Sequence, residues 1–339
     1  VRKARLKVFG KIFILFFFVI RLGGQDIHFS QFYNSPLNLS PALTGIFNGD
    51  QRLQGSFKDQ WRTVPVPWMN FAASYDQKLH PKRSDKHFFA AGAQFNYDRQ
   101  GLSRLNLSNL NLYGSVTYAL NKNNLLTGGL AIGYATRGFS QSALSWDRQW
   151  TGDFLDPSLP SGENFEAERI HFLETALGLN YRWQKSSRTH VNVGAGLFHF
   201  IEPGVAFYNA DDITLPKRFT LYGLTNFKLT DALDIQVHGF TQFQSDYRET
   251  VLGGLLKVYI NQKKGKELQL HIGSGYRTTQ SLAPTIAIQY MSIYASFSYD
   301  LDLSDFQDFT NNKGGPELHV RYIISQVKPI KKFKVCTIF

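Results

Sequence analysis

Nine histidines, scattered carboxylates and one cysteine are the residues of this 339-residue chain best suited to catalysis or metal binding. The histidines are His28, His80, His87, His171, His190, His199, His238, His271 and His319, and no two of them form an H-E-x-x-H pair. Lumen or turn positions are expected for them. There is no G-x-S-x-G elbow and no phosphate-binding P-loop. A Ser-His hydrolase could in principle draw on His238, His271 and Ser274, but by strand parity Ser274 faces away from His271. "NADDI" (209–213) and "DLDLSDFQD" (300–308) carry carboxylates of the kind that bind Ca²⁺, yet neither has the EF-hand spacing, so solvated loops are the expectation. No catalytic, cofactor-binding or metal-ligating residue follows, and the chain reads as a non-enzyme. "SWDRQW" (145–150) is different. Trp146, Arg148 and Trp150 are of the types that anchor interfaces, and equally of the types that pack a long loop down.

The formal net charge is +11. Residues 1–24 hold Arg2, Lys3, Arg5, Lys7, Lys11 and Arg21 and no acid, leaving about +5 for the rest. No basic stripe interleaved with aromatics runs through the body, which argues against nucleic acid as a partner. The basic start, the apolar run "IFILFFFVI" (12–20) and "RLGG" resemble a secretory leader over 1–24, with cleavage expected before Gln25. A retained anchor is the alternative, although nine apolar residues are too few for a spanning helix. Lys328, Lys331, Lys332 and Lys334 make residues 327–339 a basic tail, either solvated or in contact with periplasmic partners. Cys336 is alone, so no internal disulfide can form.

The elements that must position these residues show a period of two. In "NLNLYGSVTYAL" (109–120), Leu110, Leu112, Val116, Tyr118 and Leu120 oppose Asn109, Asn111, Ser115 and Thr117. Similar segments fall at 51–61, 67–79, 87–98, 108–120, 125–140, 168–183, 190–200, 217–229, 232–243, 249–260, 267–277, 282–290, 292–301 and 317–325. That makes fourteen strands. Alternate connections are short, such as "NKNN" (121–124) and "TD" (230–231), while 141–167, 201–216 and 302–316 are long. Membrane-length apolar faces predict an all-β, antiparallel transmembrane β-barrel over 51–326 rather than a soluble sandwich. So do aromatics near strand ends (Trp61, Trp68, Tyr75, Tyr97, Trp183, Tyr247, Tyr299, Tyr322) and polar faces rich in Ser, Thr, Asn and Gln. Outer-membrane lipid would then surround the chain, with tight turns and both termini on the periplasmic side of a Gram-negative outer membrane.

Residues 25–50 suit neither a strand nor an ordinary helix. Ser40 can cap a short helical turn opened by Pro41 and closed by Gly45. Pro36 predicts an extended Ser35, with the preceding stretch crossing the periplasmic mouth. His28, Gln31, Tyr33, Asn38, Ser40 and Pro41 are the expected contacts of an N-terminal plug or brace with a polar lumen, while Phe29, Phe32 and Leu39 pack beside them.

"QDIHFSQFYNSPLNLSPALTG" (25–45) and "GDQRLQGSFKDQW" (49–61) resemble the start of the PorP/SprF family of type IX secretion and gliding proteins. The resemblance continues through "GLFHFIEPGVAFY" (196–208), "LPKRFTLYGL" (215–224), "ETVLGGLLKVYI" (249–260) and "NNKGGPELHVRYI" (311–323). Ser40-Pro41-Ala42 stands where the family usually has N-P-A. The resemblance implies an outer-membrane barrel that supports export or surface anchoring of a cargo protein through that protein's C-terminal domain. It also implies periplasmic type IX components as partners, and no cofactor. The N-terminal element is similar to that of FadL-like fourteen-stranded barrels, so a channel for small or lipophilic solutes is the alternative function.

Overall fold

A computed structural model of the chain describes residues 26–62, 67–79, 86–163, 165–208, 213–278, 280–304 and 307–325. Residues 1–24, expected to be a leader, the basic tail with Cys336, most of "NADDI" and most of the 80–86 turn lie outside the described residues.

Fourteen strands form: β1 (Gln51–Gln60), β2 (Trp68–Leu79), β3 (His87–Gln100), β4 (Leu105–Ala119), β5 (Asn124–Gly138), β6 (Arg169–Gln184) and β7 (His190–Phe198), followed by β8 (Arg218–Lys228), β9 (Leu233–Gln244), β10 (Tyr247–Asn261), β11 (Leu268–Arg277), β12 (Ser281–Tyr290), β13 (Ile293–Asp302) and β14 (Lys313–Ile324). Each pairs antiparallel with its neighbour in sequence, and β1 pairs with β14 from Gln51↔Ile324 to Lys58↔Glu317, closing the sheet. Closure leaves no strand edge, which is the condition for a sheet to cross a bilayer.

Alternation fixes which face is which. On β4, Leu110, Leu112 and Val116 are exposed on the outer wall, while Asn109, Asn111, Ser115 and Thr117 are buried inside. A charge on a lipid-facing strand position costs roughly 2–4 kcal/mol near the bilayer midplane for Arg or Lys. Accordingly Arg52, Lys58, Asp76, Glu174, Glu249, Arg277 and Glu317 all take the inward parity and are buried. Pro284 of β12 lacks an N–H, and the ladder from β12 to β13 runs from Leu282↔Leu301 directly to Thr285↔Ser298.

Three expectations need correction. First, the two rims are less unequal than the sequence suggests. Loops 139–168, 199–217 and 303–312 are long, but 101–104, 245–246 and 278–280 at the same rim are as tight as the turns opposite. Strands β4, β10 and β14 also start earlier than alternation predicts, because the backbone ladder continues through residues such as Gly314–Gly315 that show no apolar alternation. Second, the aromatic residues are divided. Tyr75, Tyr97, Trp183, Tyr299 and Tyr322 share the outward parity. Tyr247 faces inward with Glu249, and Trp68 turns its Nε1 to Asp98 Oδ1 (3.0 Å). Third, His87 and His171 lie on the outer wall rather than in the lumen or a turn. At the β6 end His171 Nδ1 lies 2.8 Å from the Tyr134 hydroxyl, with the two rings stacked.

Candidate functional site

The lumen is occupied by the chain's own residues 26–46, nearly all of them buried. Three successive 3₁₀ turns shape this segment: Phe32–Asn34, Pro36–Asn38 and Pro41–Leu43. Two of them start with proline, whose fixed φ suits a first helical position. In the third, Ser40 Oγ accepts from Ala42 N (3.3 Å). Gly45 then takes φ +75°, and a side chain there would press on Ala90 Cβ at 2.5 Å. Ser35 is not extended: its ψ of 60° reflects the preceding turn, which closes through Ser35 N to Phe32 O (3.0 Å).

The path of the segment also differs from expectation. Residues 26–31 do not cross the short-turn mouth. They lie against strand ends that lead into the opposite, long-loop rim. Asp26 accepts from His199 Nε2 (2.7 Å) and lies 3.1 Å from Arg218 Nε. Burial pushes the Asp26 carboxyl up, but His199 and Arg218 outweigh it and hold the group well below the usual carboxylate range. Burial pushes His199 down, and Asp26 more than reverses this, so His199 titrates above an ordinary histidine. His28 sits edge-on to Trp68 at 5.2 Å.

Next comes a charged cluster that the sequence did not bring together; Asp300, expected with the rest of 300–308 in a solvated loop, instead sits at the end of β13 and is buried, as is Asp302, because both take the inward parity. Glu317 accepts the backbone N–H of Ser30 on one carboxylate oxygen and that of Gln31 on the other, both at 2.8 Å. Ser30 Oγ donates to Asp300 (2.7 Å) and receives Lys58 Nζ (3.0 Å) and Arg277 Nη2 (3.2 Å). Lys58 pairs with Asp300 (2.8 Å), and Arg277 pairs with Glu249. The available signal was parity: these five charges all sit on the polar faces of strands.

Further along, Gln31 Nε2 donates to Ser298 Oγ (2.9 Å), and Ser296 Oγ donates to Gln31 Oε1 (2.5 Å). The ring of Phe32 packs on Phe240 at 4.5 Å, and that of Tyr33 on His238 at 4.1 Å. Leu37 is fully enclosed by Tyr113, Ala131, Ala176 and Phe198. The side-chain amides of Asn38 and Asn96 exchange hydrogen bonds at 3.1 and 3.2 Å. Thr220 donates to Leu39 O (2.6 Å), and Ser40 donates to Ala195 O (2.9 Å). Gly178 permits this approach, since a Cβ there would sit 2.2 Å from Ser40 Oγ; at Gly129 it would sit 2.4 Å from the Pro41 carbonyl carbon. The segment leaves toward the short-turn rim, with Gly45 N on Asp76 (2.7 Å) and Asp76 gripped by both Arg52 Nε and Nη2 at 2.8 Å. Its partners thus come from strands on every side of the barrel, which only an occupant of the lumen can reach.

At the long-loop rim the three residues named from "SWDRQW" separate. Trp146 is half-buried against Phe165 (5.8 Å), in an aromatic group where Phe139 also meets Phe165 and Phe207 at 4.9 and 4.8 Å. Arg148 and Trp150 are exposed. Phe154 and Leu155, which sequence reasoning passed over, join Trp150 in an exposed apolar patch, and Trp150 and Leu155 share a β-bridge. Among the described residues no group of His, Cys, Asp and Glu is arranged to hold a metal ion.

A closed antiparallel barrel with an apolar outer wall and a polar lumen is an integral outer-membrane β-barrel. The family model described as type IX secretion system membrane protein PorP/SprF matches residues 22–322, and the chain belongs to that family. It is therefore an outer-membrane component of type IX secretion. No curated protein matches it. Among solved structures it is similar to a Pseudomonas aeruginosa FadL homologue, with TM-score 0.51 and 12% identity over 84% of this chain and 92% of that one. It is also similar to the Ralstonia pickettii toluene transporter TbuX, with TM-score 0.49 and 13% identity over 89% and 96%. At these identities the likeness is one of fold.

Proposed function

We propose that this barrel supports export or cell-surface anchoring of a cargo protein that carries a C-terminal type IX secretion domain, in the outer membrane of a Gram-negative bacterium. In this reading residues 25–50 form a plug, the barrel spans 51–326, and cargo is held at the long-loop rim. His28, Gln31, Tyr33, Asn38, Ser40 and Pro41 secure the plug. Arg148 and Trp150 face the cargo, while Trp146 holds their loop in shape. Periplasmic secretion components meet the opposite rim. The observation that carries the reading is the occupied lumen: with residues 26–46 packed on all sides, handling of a partner falls to the rim. The exposed apolar patch of Trp150, Phe154 and Leu155 is of the composition that interface cores use.

The test is removal of residues 141–167 with the barrel kept intact. Cargo should appear in the medium instead of on the cell, and the full-length barrel should copurify with it from outer membranes. Unchanged surface retention would count against the loop. A large steady conductance of the purified protein in planar bilayers would favour instead the solute-channel function borne by the FadL-type structures.

A further inference from the structure

The cavity at the short-turn rim carries charge that the N-terminal segment does not use. Its volume is about 420 Å³, within the range of small-molecule sites. Leu43, Ile46 and Phe47 of the segment line one side. The strand walls contribute Arg182 from β6, Lys257 from β10 and Arg321 from β14. These strands are four, four and six apart around the closed barrel, so the three cations enter from three directions.

Several lumen cations are matched to carboxylates: Lys58 to Asp300, Arg277 to Glu249, Arg218 to Asp26 and, on the wall of this same cavity, Arg52 to Asp76 and Arg188 to Asp234. Arg182, Lys257 and Arg321 have no such match among the described residues. Arg182 donates only to the amide oxygens of Gln184 (2.8 Å) and Asn192 (3.2 Å). Arg321 lies over the Tyr294 ring, 4.5 Å from its centroid. Asp234 is the carboxylate nearest in influence to Lys257, but its oxygens are already taken by Arg188, Asn226 and the Tyr259 hydroxyl. A second observation points the same way. His271, 2% exposed and on the cavity wall, has no partner for Nδ1, and neither has the Nδ1 of His190, which lines the same cavity from β7.

We propose that this cavity binds a small multivalent oxyanion, whose phosphate or carboxylate groups are shared among Arg182, Lys257 and Arg321. Guanidinium forks suit planar or tetrahedral oxyanions, and the lysine adds a point charge. Strands enclose the site on all sides, which favours a compact anion over a polypeptide.

The probe is inorganic pyrophosphate, titrated calorimetrically into the full barrel in uncharged detergent at low salt, with tricarballylate as the carboxylate arm and acetate as the monovalent control. Saturable binding of pyrophosphate or tricarballylate, tighter than acetate, is expected. Lys257→Gln and Arg321→Gln should each weaken it by about tenfold, the usual scale for loss of one charge-assisted bond. Lys257→Arg should stay within about threefold, and Arg248→Gln, on the outer wall, should change nothing. Heat-modified gel migration reports folding, so a variant that fails to fold is replaced by its charge-conserving partner. No binding to the unmodified barrel overturns the proposal. So does equal affinity in the folded Arg182→Gln/Lys257→Gln/Arg321→Gln variant, or binding of an acidic decapeptide where neither small anion binds.

Discussion

Glu317→Gln tests how the N-terminal segment is held. The Glu317 carboxylate accepts two main-chain N–H groups, from Ser30 and Gln31, so it grips the backbone rather than a particular side chain. Lys58 already has Asp300 at 2.8 Å and is 3.9 Å from Glu317, so the substitution leaves no cation stranded. A glutamine of the same size can accept one of the two N–H groups and presents its own NH₂ to the other. One bond to a charged acceptor is lost and one weakened. With such bonds contributing roughly 1.5–3 kcal/mol each, local loosening of about 2–3 kcal/mol follows. At 1.4 kcal/mol per tenfold, the open population near residues 26–31 should rise by about 30- to 140-fold. The assay is maleimide labelling of a His28→Cys reporter in a Cys336→Ser background, with barrel integrity checked by heat-modified migration. An unchanged labelling rate in a folded Glu317→Gln barrel would refute the claim that this carboxylate anchors the segment.

The Asp26–His199 pair gives a pH dependence. Asp26 lies below its unfolded value, so its contribution is present above about pH 4 and is lost in stronger acid; His199 lies above its own, so its contribution is complete below about pH 6.5 and fades as pH rises through the folded value. His28→Cys labelling should therefore be slowest between about pH 4 and 6.5 once corrected for thiolate chemistry with a free peptide, and Asp26→Asn should flatten the profile. Gly178→Leu should displace the 40–42 turn without unfolding the barrel, read as faster labelling at an Asn38→Cys reporter, because even its Cβ meets Ser40 Oγ at 2.2 Å. Trp150→Ala with Phe154→Ala should lower cargo retention at unchanged barrel level, whereas Trp146→Ala should raise proteolysis of the 139–168 loop, since Trp146 packs on Phe165.

The barrel was legible because lipid outside and polar groups inside impose one rule on every strand, and β4 obeys it residue by residue. Loop 245–246 was legible only as a gap, since a two-residue turn leaves no composition signal of its own. The cap at Ser40 was readable from Ser-Pro-Ala alone, a local matter of one hydroxyl and one fixed φ. The depth reached by Asp26 was not. It depends on His199 and Arg218, 173 and 192 positions away in the chain, and nothing local encodes that meeting. The charged cluster was half legible. Parity places Lys58, Glu249, Arg277, Asp300 and Glu317 inside, but which of the fourteen strand ends they share depends on the register of closure between β1 and β14.

The way the segment is held bears on whether it is a fixed part of the barrel or a movable one. The neutral polar groups it satisfies on the wall could be satisfied by water instead, because the inward strand faces are largely polar. Each neutral exchange is then worth only about 0.5–1.5 kcal/mol. The apolar contacts of Phe32 and Leu37 add a further ~1.5–3 kcal/mol each. Charged anchors are confined to three places: Asp26 near one rim, the Glu317 cluster below it, and Asp76 toward the other rim. Between them, contact is mostly amide, hydroxyl and small apolar surface. Freeing the segment would break these three charged anchors and the apolar clusters around Phe32, Leu37 and Phe29, but no hydrogen bond of any strand ladder.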